Sequence, residues 1–272
     1  MSSHSTAIDT NSAAPDGITD ISSTGFTLGA NSSNTDGNWS IEINQTSGSY
    51  LAHCWKRSIE AGFDIVTHTN TNDSTVISHN LGKTPEFIIT KCRTASTTQW
   101  RAHHVSGGVS KTLILSTTEA YVTSAERVTA VSDTTFTYDA TVSANGNDFI
   151  HYVWTSVPGF SKFGSYTGNG STNGPFIHLG FKPAWLLLKR TDSTSSWFML
   201  DTKRDTYNVS DTYLIADGSQ AEATYTSVDF LSNGFKPRNS SSSFNTDGAT
   251  HVFAAFAEAP TSNLFGGQAN AR

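Results

Sequence analysis

Two stretches about 100 residues apart carry the same order of residue types, and this repetition limits the folds open to the chain more than any other feature. Residues 159–192 read GFSKFGSYTGNGSTNGPFIHLGFKPAWLLLKRTD, and residues 62–94 read GFDIVTHTNTNDSTVISHNLGKTPEFIITKCRT. Both open on Gly-Phe and cross a polar loop. Both then run through His, Leu-Gly, Pro, an apolar run and Lys. A second piece recurs three times, at residues 26–55, 136–154 and 235–256. Each copy starts a strand on an aromatic, crosses an Asn/Gly turn and ends in an apolar strand closed by an aromatic.

These pieces set the frame. Residues 1–16 read as a flexible leader, and 17–61 as an orphan β segment equivalent to the end of a repeat. Residues 62–158 and 159–260 are the two full repeats, and 261–272 a C-terminal tail. Within the second repeat, strands are expected at 162–166, 175–178, 184–189, 197–200, 212–215, 228–231, 235–236 and 251–256. A single helical turn is expected near 219–223. Short strands separated by Asn-Gly, Asp-Gly and Gly-Asn turns predict an all-β protein. The expected architecture is two tandem β-sandwich repeats of jelly-roll or Ig-like size with an extra N-terminal β segment. That orphan segment is expected to complete a neighbouring sheet, in the first sandwich or across a subunit interface.

Composition agrees. Ser and Thr supply 75 of 272 residues and Asn 18, while charged residues make up 15%. Long surface helices normally carry many charged helix formers, whereas Thr-rich strand faces and Ser/Asn/Gly turns do not need them. Six Trp, sixteen Phe and eight Tyr argue against disorder. The net charge of −6 includes no basic stripe for nucleic acid. No apolar run reaches the roughly 20 residues of a membrane span. The first residues have neither the basic start nor the apolar core of a signal peptide. Cys54 and Cys92 form no framework and read as two buried free thiols.

The chemistry-bearing residues do not assemble into a reaction. His53 and His151 match between end pieces, and His79 and His178 each precede Leu-Gly, which fits structural roles better than a metal set. His103 and His104 are adjacent, so on a strand they point to opposite faces. Glu119 and Glu126 lie close in sequence but read as solvated loop positions rather than a glycosidase pair. No G-x-S-x-G elbow occurs, and the glycines at 168, 170 and 174 lack the ending of a phosphate loop, so they read as hairpin turns. Asn and Asp at 34 and 36, at 70, 72 and 73, and at 245 and 247 are ordinary turn formers that could also face calcium. Trp100 with Trp197, Trp55 with Trp154, and Phe87 with Trp185 repeat in position, which predicts core packing. Trp39 has no counterpart, which makes it the candidate sugar-stacking aromatic. With Asn70, Asn72, Asn169 and Asn173 in the polar loops, it completes the candidate glycan or partner contacts. No catalytic residue, metal ligand or cofactor is assigned.

The combination NLGxxPE, GSYTGNG, KRTD before an aromatic, and LSNGFK resembles an uncharacterised repeat domain of structural proteins from marine tailed phages. Those proteins are described as tail-fibre-like or virion-associated, and the resemblance covers residues 17–272. It implies a structural or adhesion component of a virion, assembled in the host cytoplasm. Its implied partners are other virion proteins and copies of itself, in a trimer by analogy, with host-surface glycans as a further contact. It implies no enzyme. A carbohydrate-binding module of a secreted protein, a capsid decoration protein and, last, a tail-associated depolymerase are the alternatives.

Overall fold

A computed structural model describes residues 18–22, 24–28, 50, 52–71, 73–95, 98–124, 126–140, 143 and 145–257. Its contacts divide the chain into two units: Asp9–Trp55 forms one, and the described residues from Lys56 onward belong to the other. In the first, β1 (Ile18–Ile21) and β2 (Phe26–Leu28) form a two-stranded antiparallel sheet of their own. The orphan segment was expected to add strands to a neighbouring sheet; its described strands instead pair with each other. Residues 52–55, expected to close a strand, have no regular structure. The leader, the tail and residues 29–49, including Trp39, lie outside the described residues.

The second unit contains two β-sandwiches. The first is built from β3 (Phe63–Thr69), β4 (Thr75–Ser78), β5 (Phe87–Cys92), β6 (Arg101–His104), β7 (Leu113–Ile114), β8 (Arg127–Val131), β9 (Thr135–Asp139) and β10 (Asp148–Trp154). The second uses β11 (Ser161–Thr167), β12 (Ile177–His178), β13 (Pro183–Arg190), β14 (Trp197–Asp201), β15 (Ser210–Ile215), β16 (Ala223–Leu231), β17 (Gly234–Pro237) and β18 (Thr250–Ala257). Each of the eight strands expected in the second repeat is present. The expected turn near 219–223 is not helical, because Ala223 already starts β16. Among the described residues the helical element is a 3-10 turn at Val105–Gly107.

The two sandwiches share one strand order. The first has a sheet β3-β10-β5-β6-β7 facing a sheet β4-β9-β8; the second runs β11-β18-β13-β14-β15 and continues through β16-β17-β12. The register repeats as well: Trp154 pairs with Phe87 as Phe256 pairs with Trp185, and Ile77 with Phe136 as Ile177 with Phe235. In the first sandwich the connection from β7 to β8 leaves the sheet, whereas in the second β15 pairs directly with β16. The shared Leu-Gly motif is a turn: Gly82 and Gly180 both take positive φ, which a side chain disfavours.

Each core lies between facing sheets. Ile77, Ile88, Phe136, Tyr138, Phe149 and Val153 fill the first. Tyr166, Leu186, Leu188, Phe198, Phe230, Phe235 and Phe253 fill the second. Of the repeated aromatics expected to pack inside, Phe87, Trp100, Trp154 and Trp197 are buried, while Trp55 and Trp185 are half-buried. Phe87, Trp154, Phe163, Trp185 and Phe256 belong to neither core cluster. They form a ladder with ring centroids 5.6 Å apart from Trp154 to Phe87 and from Phe87 to Phe163. The ladder continues at 5.7 Å to Phe256 and 5.6 Å to Trp185. Phe87 of the first sandwich thus stacks on Phe163 of the second. Because one face of β18 meets its core and the other meets this ladder, seven of its eight residues are buried. Burial on both faces explains the unbroken apolar run VFAAFA in place of alternation.

Main-chain links fasten the same seam. The Thr118 carbonyl accepts from Ser195 N at 2.8 Å and from Lys189 Nζ at 3.0 Å. Tyr121 N donates to Thr191 O at 2.9 Å, and Trp197 Nε1 donates to Ile114 O at 2.9 Å.

Candidate functional site

The opening hairpin of the second repeat presents the polar loop between β11 and β12. Gly168 N donates to Ala249 O at 2.8 Å, and Gly248 N returns a bond to Gly168 O at 3.0 Å. A Cβ on Gly168 would lie 2.1 Å from Thr246 O, so only glycine allows this approach. The buried carboxamide of Asn245 reaches across from the facing loop. Its Oδ1 accepts from Asn169 N at 2.9 Å, and its Nδ2 donates to Asn169 Oδ1 at 2.8 Å and to Ser171 O at 2.6 Å. Asn169 Oδ1 also accepts from Ser171 N at 3.1 Å, and Asn169 Nδ2 donates to Asn173 O at 3.1 Å. Asn169 is exposed, but its amide holds the turn; Asn173 is exposed at the rim. Asn245 therefore acts as a brace between two loops, a role its turn-forming composition did not reveal.

Asn70 has a different role from the expected contact. It is 0% exposed, and Nδ2 donates to Ala140 O and Ser143 O at 3.2 and 3.0 Å. Its side chain ties the first sandwich together and is closed to a partner. Asn72 and Trp39 lie outside the described residues.

Several histidines of the first sandwich pack inside the sheets. His68 Nδ1 and His151 Nε2 are 2.9 Å apart in the first core, and His151 Nδ1 lies 2.7 Å from Thr90 Oγ1. Burial lowers the pKa of both, keeping the pair neutral in this apolar setting. His68 stacks on Phe149 across β3 and β10, and at the same place in the second sandwich Tyr166 stacks on His251. The imidazole has changed strands while the pair is kept. His79 is buried and bonds Ser132 O at 3.2 Å, whereas His178 is exposed, so their shared Leu-Gly context did not give a shared environment. His104 meets the seam, with Nε2 3.0 Å from Phe253 O and Nδ1 accepting from Ser106 N. Burial lowers both His103 and His104 to about 4.

Three buried acids pair with arginines, while Glu119 accepts from Thr117 Oγ1 at 3.2 Å. Glu126 is buried and pairs with Arg101 at 2.6 Å while accepting from Ser143 Oγ, so it is not the solvated loop residue expected. Asp64, also buried, pairs with Arg57 at 2.5 Å beside a cavity of about 340 Å³ lined by Ser58, Ile59, Phe63 and Asn80. Asp201 pairs with Arg204 at 2.6 Å. Cys92 is buried as expected, but Cys54 is exposed. No group of three or more His, Cys, Asp or Glu able to hold a metal occurs among the described residues.

Residues 1–260 match the profile of a family described as Domain of unknown function (DUF7483). The chain belongs to that family. No curated protein and no solved structure matches it. The DUF7483 match takes in the orphan segment and both repeats, so the family is defined over the whole array and not over one sandwich.

Within this DUF7483 chain, the exposed polar features are loops carried on rigid sheets. Sequence reasoning found the loop at 168–174 from its Asn-Gly turns. It passed over the connection between β14 and β15, where Tyr207 is 86% exposed. Length was no signal, since the equivalent connection at 105–112 is as long as 202–209; the available signal was a lone aromatic, Tyr207, in a stretch whose counterpart has none.

Proposed function

We propose that the chain is a structural and adhesion component of a bacteriophage virion, tail-fibre-like, whose loops contact host-surface glycans. The observation that carries this reading is the seam. The second sandwich buries the outer face of β18 in an aromatic ladder with the first, and main-chain bonds fix the join. A tandem array fixed in this way transmits position and force along its length, as a fibre or particle-surface module must. The resemblance to marine-phage repeat domains supplies the setting. Low charge and Ser/Thr/Asn-rich exposed loops suit weak polar contacts with sugars.

Electron microscopy of purified virions labelled with antibody against this chain tests the reading. Label on the tail or particle surface supports it; particles that contain none of the chain overturn it.

A further inference from the structure

We propose that residues 202–209 of the second sandwich form a carbohydrate-contact site, with Tyr207 as the stacking platform for a single pyranose ring. The proposal deepens the adhesion reading and rests on it. The site is the β14–β15 connection; the equivalent connection of the first sandwich, residues 105–112, carries no aromatic residue.

The connection is braced on both sides of the tyrosine. Before it, Asp205 Oδ2 accepts from Ser210 Oγ, Asp211 N and Thr212 N at 3.0, 2.9 and 2.7 Å, and Oδ1 accepts from Thr212 Oγ1 at 2.9 Å. After it, Asn208 pairs like a strand residue with Phe230: Nδ2 donates to Phe230 O and Oδ1 accepts from Phe230 N, both at 2.9 Å. The backbone at Tyr207 is therefore held while its ring stands in solvent. At 86% exposure it is the most exposed large apolar or aromatic side chain among the described residues. A loop ordered only to fold the chain gains nothing from an outward ring, whereas a pre-ordered ring lowers the entropy cost of a contact.

The surroundings indicate the class of ligand. Thr206 and Asn208, which flank Tyr207 in the chain, are exposed, as are Lys203 and Asp211, and the nearby apolar residue in the chain, Val209, is 37% exposed. An ordinary protein interface needs roughly 800 Å² per partner with an extended apolar centre. One ring inside a polar rim instead matches the apolar C–H face of one sugar, whose hydroxyls would meet the rim.

The test uses the full chain and a glycan array of bacterial surface polysaccharides, followed by titration of the best-bound polysaccharide. Wild type is expected to bind, Tyr207→Ala to lose roughly tenfold in affinity, and Tyr207→Phe to stay within about twofold. Thermal melting of each variant confirms an unchanged fold, since the ring touches no core. Binding that is equal in wild type and Tyr207→Ala overturns this site while leaving glycan adhesion in place. Absence of binding to any glycan overturns both, and virion labelling then decides separately whether the chain is a particle component. Equal losses in the Ala and Phe variants overturn stacking as the mode of contact.

Discussion

Lys91 and Lys189 occupy the same position in the two sandwiches, and each directs a buried ammonium to the carbonyl two residues before a tryptophan. Lys91 Nζ donates to Thr98 O and Lys189 Nζ to Ser195 O, both at 2.6 Å, ahead of Trp100 and Trp197. Lys189 also reaches Thr118 O of the other sandwich, and burial lowers its pKa to about 8. Lys189→Met keeps the apolar stem but leaves Ser195 O without that donor. The expected loss is about 1–3 kcal/mol, read by urea denaturation at pH 7. A variant as stable as wild type would show that the buried charge and its hydrogen bonds cancel.

Acid should loosen the seam through His104. In the fold it is neutral with a pKa of about 4, below its ordinary 6.5, because it is almost wholly desolvated. The unfolded chain therefore takes up the proton first. The stability this residue contributes is complete above about pH 6.5 and falls as pH drops towards 4, by about 3 kcal/mol. His103 adds a loss of the same sign. Denaturation midpoints at pH 7 and pH 4.5 should differ less in His104→Gln than in wild type; an unchanged difference would remove His104 from the account.

Asn245 holds two loops with three side-chain hydrogen bonds at a fully buried site. Asn245→Ala should cost about 2–4 kcal/mol by leaving Asn169 N and Ser171 O unpaired. Asn245→Asp should be no better, because a carboxylate there faces Asn169 Oδ1 and Ser171 O, both acceptors. Thermal melts of the two variants check the order.

Asp205 orders the strand entry that follows Tyr207. Asp205→Ala removes the acceptor for Asp211 N and Thr212 N. Amide exchange at these two positions should quicken by about tenfold with a global loss of about 1–2 kcal/mol at most. Exchange unchanged at both amides would mean that β15 pairing alone orders them.

The repeat frame was legible because each sandwich must solve one packing problem twice. Leu-Gly marks a positive-φ turn in both copies, and the eight strands of the second repeat follow their apolar runs and Asn/Gly turns. Less of the candidate site was legible. Asn70 and Asn169 look alike as loop amides, yet one is sealed beneath Ala140 and Ser143 while the other stands at a rim. Burial depends on what lies across the fold, and a run of polar residues does not record it. Phe87, Trp100, Trp154 and Trp197 are buried as their repetition suggested, but equal spacing shows only that two positions are equivalent, not which face of the sheet they occupy.

By itself, then, the sequence determined the all-β class, the period and the turn glycines, since strand alternation and φ restrictions act between near neighbours. Tertiary structure decided which rings left the cores to build the Phe87–Phe163 seam, which acids met arginines, and that Tyr207 faces solvent. Those outcomes come from contacts between residues far apart in the chain, where the local pattern is the same whether a side chain meets a partner or water.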